Sequence, residues 1–348
     1  MKTVVIGSLV FIVVLLLSGC NSIPIEFQFS KHPSPVWEGQ WVAGDPSIIR
    51  VNDSYYLYYT GVTLGDLSDD DDDQVIIGVA HSTDGINWEF AKPLTNESPE
   101  ESIALAGNMT GWDRILETAF VLQKDDEFFM YYTGYDQTID ETGKLVAKAQ
   151  IGVATSSDGL TFDRFLSSPV IETDTMNDKD AVFSPSVIRV NGTYYMVYTG
   201  WCLENCTGIV QGFGLLGATS SDAIQWTKHD KLIIDPTDIS WAINVKEAEL
   251  VKGPDGLFYL FFTSDLNRRM AAIGMARSEH PFGPWDIHPY PIISKTYPWE
   301  GTGPIAPAVL IEDGVIRVWY MAPVDAVFSD FSIGYAEAEL SNFWLENK

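Results

Sequence analysis

Three carboxylates stand at the head of look-alike segments: Asp45 in Asp45-Pro46-Ser47-Ile48-Ile49, Glu117 in Glu117-Thr118-Ala119-Phe120-Val121, and Glu247 in Glu247-Ala248-Glu249-Leu250-Val251. Two more segments of the same kind open on Ser184, in Ser184-Pro185-Ser186-Val187-Ile188, and on Ala306, in Ala306-Pro307-Ala308-Val309-Leu310. Carboxyl groups that meet at a narrow, partly apolar mouth perturb each other's protonation. Two of them across a glycosidic bond are enough to hydrolyse it. One protonates the leaving oxygen; the other activates water or attacks the sugar carbon. That chemistry needs Asp45 and Glu247, distant in the chain, to face one hollow.

The elements that could bring them together are repeated. Each of the five segments is followed by a polar turn and an aromatic-rich run: Tyr55 to Gly61, Phe128 to Gly134, Tyr194 to Gly200, Phe258 to Ser264 and Ile316 to Ala322. Two β-branched or aromatic runs joined by Asn, Asp or Gly are a hairpin signature. A third element recurs as Ile77-Gly78-Val79-Ala80, Ile151-Gly152-Val153-Ala154, Leu216-Gly217-Ala218, Ile273-Gly274-Met275-Ala276 and Ile333-Gly334-Tyr335-Ala336. A fourth, ending in Trp88, Phe162, Trp226 or Trp285, follows in the first four units. The expected fold is therefore all-β: a five-bladed β-propeller with four-stranded antiparallel blades. A two-sheet sandwich would not require five equivalent units. The fifth unit lacks its fourth strand. Ile25 to Phe29, followed by Pro35-Val36, is expected to supply it and so to pair an edge that would otherwise lie open. In a propeller the inner strands line the channel, so their leading residues converge at its mouth.

Asp-Pro opening the first unit, the Tyr-Tyr-Thr-Gly runs and the Ser-x-Asp-Gly-x-x-Trp outer element together resemble the five-bladed propeller glycosidases, glycoside hydrolase families 43, 32, 68, 117 and 130. The resemblance spans about residues 25 to 340. It implies that Asp45 is general base or nucleophile and that Glu247 is general acid, with Glu249 as competitor. Those families carry a third carboxylate in blade three, where this chain has Ser184. Asp180, four residues upstream, and Glu117 in blade two are the candidate substitutes. The resemblance leaves two readings open, a glycoside hydrolase and a glycan-binding protein without turnover. A protein-interaction propeller is a third.

Aromatic rings stack on the apolar faces of sugars, and Trp41, Trp112, Trp201, Trp241 and Trp299 all lie close to the ends of these strands. Packing between blades is the competing role for each. Asp113, Arg114 and Asn244 are candidate partners for sugar hydroxyls. Trp88, Trp226 and Trp285 recur on outer elements and are expected to be structural. The histidines lack metal-ligand spacing, and the chain carries no Ser-His-Asp set, phosphate loop or dinucleotide motif. No cofactor is expected. Asp69 to Asp73 reads as a solvated loop, with calcium binding as the alternative.

Residues 1–20 read as a targeting segment and 21–348 as the domain. Lys2 precedes an apolar stretch from Val4 to Leu17, too short to span a bilayer comfortably. Leu17-Ser18-Gly19-Cys20 resembles a bacterial lipobox, which implies lipidation of Cys20. An uncleaved anchor helix is the alternative, and both place the domain outside the cytoplasmic membrane, on the envelope. In such a compartment Cys202 and Cys206 are expected to form a disulfide. The net charge of -27 repels nucleic-acid phosphates and favours a neutral carbohydrate. A monomer is expected.

Overall fold

The computed structural model describes residues 29–39, 42–63, 74–92, 102–139, 145–173, 178–202, 212–267, 269–323 and 330–343. They form five blade sheets and a separate two-stranded ribbon of Gln137–Ile139 and Leu145–Ala147; the blades' inner strands are Gly44–Val51, Ile115–Lys124, Ala181–Val190, Lys246–Lys252 and Ile305–Glu312. Each inner strand packs on the next, and the fifth packs back on the first, closing a ring. This is the five-bladed propeller expected from the repeat. The blades' second strands are Ser54–Thr63, Glu127–Tyr135, Thr193–Cys202, Phe258–Asn267 and Val315–Pro323. The third strands are Gln74–Ser82, Gln150–Ser156, Gly212–Ser220, Met270–Ser278 and Phe331–Glu339.

As expected, the fifth blade is completed from the N-terminal end, where Ser30–Lys31 forms its outermost described strand. Ser30 pairs with Glu337 and Lys31 with Ala336, and a further bridge joins Trp37 to Ile333. Residues 25–28 lie outside the described residues. Phe29 is buried against Phe343, with ring centroids 5.6 Å apart.

The repeated sequence motifs each have a packing role. In four blades the glycine of the third strand lies beneath a second-strand ring. A Cβ on Gly78 would stand 2.4 Å from the Tyr59 ring, and one on Gly334 would stand 2.4 Å from Tyr320. The Ser-x-Asp loops are tied by their own side chains: Gly85 N–H donates to Ser82 Oγ (2.9 Å), and Asn87 N–H to Asp84 (2.7 Å). The same bonds recur at Ser156 with Asp158 and at Ser220 with Asp222. Each loop is then docked to the preceding blade. Tyr58 OH donates to Gly159 O, Tyr131 OH to Ala223 O, and Trp319 Nε1 to Gly85 O across the closure. Trp88 lies edge-on to Trp319 and Trp226 edge-on to Tyr131, while Trp285 joins an apolar cluster, all structural positions.

Candidate active site

The inner strands share a backbone irregularity at their mouth ends. Asp45, Thr118, Ser184, Glu247 and Ala306 all have φ between 45° and 50°. At each of these residues the pairing with the second strand shifts register. Left-handed backbone is strained for residues other than Gly and persists only where the surroundings enforce it. At four of the five a threonine enforces it. Thr118 N–H donates to Thr60 Oγ1 (3.1 Å), Ser184 N–H to Thr133 Oγ1 (3.1 Å), Glu247 N–H to Thr199 Oγ1 (2.8 Å) and Ala306 N–H to Thr263 Oγ1 (2.8 Å). Each acceptor sits in the preceding blade's second strand. The bulge turns the side chain of the strained residue into the channel. All five of these residues line one pocket there, with Pro46, Ala119, Phe120, Pro185, Ala248, Glu249 and Pro307.

Asp45 and Glu247 are thus brought to one pocket from blades one and four. In blade two, where the repeat offered Glu117 together with Thr118, the equivalent position belongs to Thr118. Glu117 stands one residue earlier, where its Oε1 accepts a hydrogen bond from Tyr135 OH (2.8 Å). It still belongs to the same electrostatic group. Asp45 is pushed up to about 8, first by burial and then by the charges of Glu117 and Glu247; Thr60 and the Thr118 N–H oppose the shift. Burial also raises Glu117, against the Tyr135 hydrogen bond and with help from Glu247. Protons on so coupled a group belong to the cluster rather than to one residue. Glu247 Oε2 and Ser184 Oγ are buried and carry no hydrogen bond.

Glu249 is separated from Glu247 by the bulge and occupies a second ring deeper in the channel. Val121 N–H donates to Ser47 Oγ (3.1 Å) and Leu250 N–H to Ser186 Oγ (3.0 Å). The Val309 N–H bonds to Glu249 in the same way, so this carboxyl does a serine's job of joining neighbouring blades. Burial pushes it up to about 8.

Several residues chosen from sequence sit elsewhere. Asp113 is 1% exposed, and its Oδ2 accepts from Tyr132 OH (2.7 Å) and Arg164 Nε (2.6 Å), so it is a strut of blade two. Arg114 is exposed. Trp112, Trp241 and Trp299 stack within 11° of parallel on Tyr132, Phe262 and Tyr320, which assigns them to blade packing. Asp180 does not line the pocket, and its N–H bonds to Trp201 O. Asn244 is engaged by Asp265 through both ends of its amide (2.7 and 3.1 Å). Trp201 stacks on Phe213 at 5.7 Å and does not line the pocket. Cys202 is buried and disulfide-bonded; its expected partner Cys206, with Trp41, Cys20 and Asp69 to Asp73, lies outside the described residues. The threonine clasps and Tyr135 were missed. The Thr of each Tyr-Thr-Gly run was visible in the repeat, but its hydroxyl serves the next blade, which no single-unit alignment shows.

A ring of strained inner-strand residues that aims acidic side chains into a channel mouth defines the class of five-bladed carbohydrate-active propellers. Residues 33–321 match the model of glycosyl hydrolases family 43, and the chain belongs to that family. Among curated proteins it is similar to a 1,2-beta-oligomannan phosphorylase of Thermoanaerobacter sp. (strain X514), with 26% identity over 53% of this chain and 57% of that one. A beta-1,2-mannobiose phosphorylase of the same organism is also 26% identical, over 58% of this chain and 63% of the relative. The matches therefore span about six-tenths of those relatives' length. Among solved structures, an endo-arabinase from Bacteroides thetaiotaomicron superposes with a TM-score of 0.63 at 14% identity, covering 87% of this chain and 96% of the other. A thermostable family-43 glycoside hydrolase gives 0.61 at 19% identity, over 85% and 90%.

Proposed function

We propose that this chain hydrolyses glycosidic bonds in a neutral oligo- or polysaccharide outside the cytoplasmic membrane. The observation that carries the reading is the convergence of Asp45 and Glu247 on one pocket, with Glu117 coupled to both. Asp45 acts as base, Glu247 protonates the leaving oxygen through its unpaired Oε2, and Glu117 supplies the third negative charge that Ser184 does not. The positive charge that develops on the sugar as the bond breaks draws the cluster toward its ionised form.

Hydrolysis suits this pocket better than phosphorolysis, the reaction named for the two curated relatives. A phosphate dianion would have to enter beside three carboxyl groups, and the described residues that line the pocket include no Lys or Arg. Like charges at close range in a poorly hydrated site repel strongly. The lipobox-like Leu17-Ser18-Gly19-Cys20 and the disulfide at Cys202 support placement on the envelope.

The test is a panel of arabino-, xylo- and manno-oligosaccharides, each incubated in buffers with and without inorganic phosphate. Release of reducing sugar without sugar phosphate is expected. Asp45→Asn and Glu247→Gln should each lower kcat by roughly 10²- to 10⁴-fold. Sugar phosphate as the main product would overturn hydrolysis. Binding without turnover in the wild type would leave a glycan-binding protein.

A further inference from the structure

At the end away from the mouth, the third strand of each blade meets a short outermost strand. In blades one to five these are Glu89–Phe90, Asp163–Arg164, Thr227–Lys228, Asp286–Ile287 and Ser30–Lys31. One cross-strand pair recurs there. It is His81 with Glu89, Thr155 with Asp163, Arg277 with Asp286, and Glu337 with Ser30, so four blades place an acid in it. In blade four the two residues form an ion pair, with Arg277 Nε 3.0 Å from Asp286 Oδ2. Blade three has Thr219 with Thr227 instead. These two threonines line a groove of about 460 Å³ together with Thr193, Ser221, Gln225 and Trp226. The corresponding hollow of blade four is lined by Arg277, Glu279, His280 and Asp286 and is charged.

We propose that the groove of blade three is a second carbohydrate site, remote from the catalytic pocket, that holds a segment of a neutral polysaccharide. The inference rests on reading this chain as a glycan-active protein. Sugar hydroxyls both donate and accept hydrogen bonds, and so do Ser, Thr and Gln side chains. Ser221, Gln225 and Thr227 are exposed in the groove. The half-buried Trp226 adds an apolar surface for the ring carbons of a sugar. It is fixed edge-on to Tyr131 at 5.7 Å, so it binds without the entropy cost of ordering a loop. The charge in the lining is Asp222, held below the ordinary carboxylate range first by the Gln225 N–H and then by the Ile224 N–H. The nearby Lys228 is turned inward to Asp178. A fixed negative charge without a free cation disfavours a uronate or a phosphate and leaves a neutral chain. Val190, at the far end of the inner strand, pairs with Thr193, which puts the groove about 20 Å from Ser184 at ~3.3 Å per residue. The two sites can therefore engage different segments of one polymer, which raises its local concentration at the mouth.

The experiment is native electrophoresis through gels that contain arabinan, arabinoxylan or mannan, with polygalacturonate as the acidic polymer. Retardation of the wild type by at least one neutral polymer, and not by polygalacturonate, is expected. Thr219→Arg with Thr227→Asp writes blade four's ion pair into blade three, an arrangement this fold already carries. That variant should lose the retardation. Its kcat/KM on short oligosaccharides should be unchanged, while its activity on polymer relative to oligosaccharide should fall roughly tenfold or more. Ser221→Ala with Gln225→Ala, at exposed positions, is the second variant and should weaken the retardation; it replaces the first if that one does not fold. Equal retardation of wild type and folded variant overturns the groove and leaves the glycosidase reading intact. Retardation by no neutral polymer, or by polygalacturonate, overturns it as well. If the wild type cleaves no oligosaccharide, the glycosidase reading falls, and the gels alone decide the groove by the same criteria.

Discussion

At the scale of single residues, the site is governed by how few protons its carboxyl groups can lose together. Asp45 is held up to about 8 by burial and by Glu117 and Glu247. As a base it must be ionised, so kcat/KM should rise with pH along a limb displaced above the ordinary carboxylate range. Glu117→Gln removes one of the two charges that raise Asp45, so the limb should move to lower pH, read from a pH–rate profile. A wild-type profile that instead falls over this range would give Asp45 the acid's role. Glu249 makes a separate, thermodynamic prediction. Its carboxyl goes from an ordinary 4.5 to about 8 on folding. Between those values the folded chain binds the extra proton, so stability drops as pH rises through that window. Glu249→Gln keeps an acceptor for the Val309 N–H without the buried charge. It should raise the melting temperature at neutral pH and flatten its dependence on pH between about 4.5 and 8, seen by calorimetry across that range. Asp45 and Glu247 were legible from the repeat because equal positions in equal units converge. Separating Glu247 from Glu249 was not. Simple alternation puts both on one face, and the bulge that parts them is set by a threonine in another blade.

At the scale of elements, the repeat announced the strands, while the devices joining them involve residues from two units at once. The Thr of one blade's Tyr-Thr-Gly run clasps the strained residue of the next, and the ring carries four such clasps among the N–H donors Thr118, Ser184, Glu247 and Ala306. Blade five has Met321 where the others have this Thr. Sequence reading treated the aromatic runs as packing surfaces and overlooked the hydroxyl between them. It also offered Trp112, Trp241 and Trp299 as sugar platforms. Their parallel stacking on second-strand rings shows that a Trp ahead of an inner strand is part of the repeat's own packing. Clasp and catalysis can be separated by experiment. Thr199→Val strips the acceptor from the Glu247 N–H, and Thr263→Val does the same at Ala306. Each should cost about 1–3 kcal/mol by leaving a buried donor unmet, measured by urea unfolding. Only Thr199→Val should also depress kcat, because only its clasp sets the acid's position. Equal losses of kcat in the two variants would mean that the clasps act on activity through stability alone.

At the scale of the whole molecule, the ring must be closed, and the closure runs through an ion pair in the interior. The outermost strands of three blades each turn a cation inward to a buried acid: Arg164 to Asp113, Lys228 to Asp178, and Lys31 to Glu300. In blades two and three the partners lie 51 and 50 residues apart along the chain. In the fifth, the cation comes from the N-terminal strand and the acid from the far end of the sequence, so this pair joins the chain's two ends. Its side chains are 6% and 0% exposed. Glu300 also accepts from the Thr296 and Tyr297 N–H groups (2.6 and 2.7 Å) and from Tyr320 OH (2.8 Å), while Lys31 donates to Ser294 O (2.8 Å). A buried pair contributes little over an apolar replacement of both partners, but losing one partner strands the other's charge. Lys31→Met should therefore destabilise the fold by about 3–5 kcal/mol, since Glu300 would remain buried without its cation. Lys31→Met with Glu300→Gln should recover a large part of that loss. The double-mutant cycle, read by chemical unfolding, distinguishes a closure that depends on this charge pair from one held by strand pairing alone. In the latter case Lys31→Met would be nearly silent, and the contacts of Phe29 with Phe343 and of Trp37 with Ile333 would carry the ring.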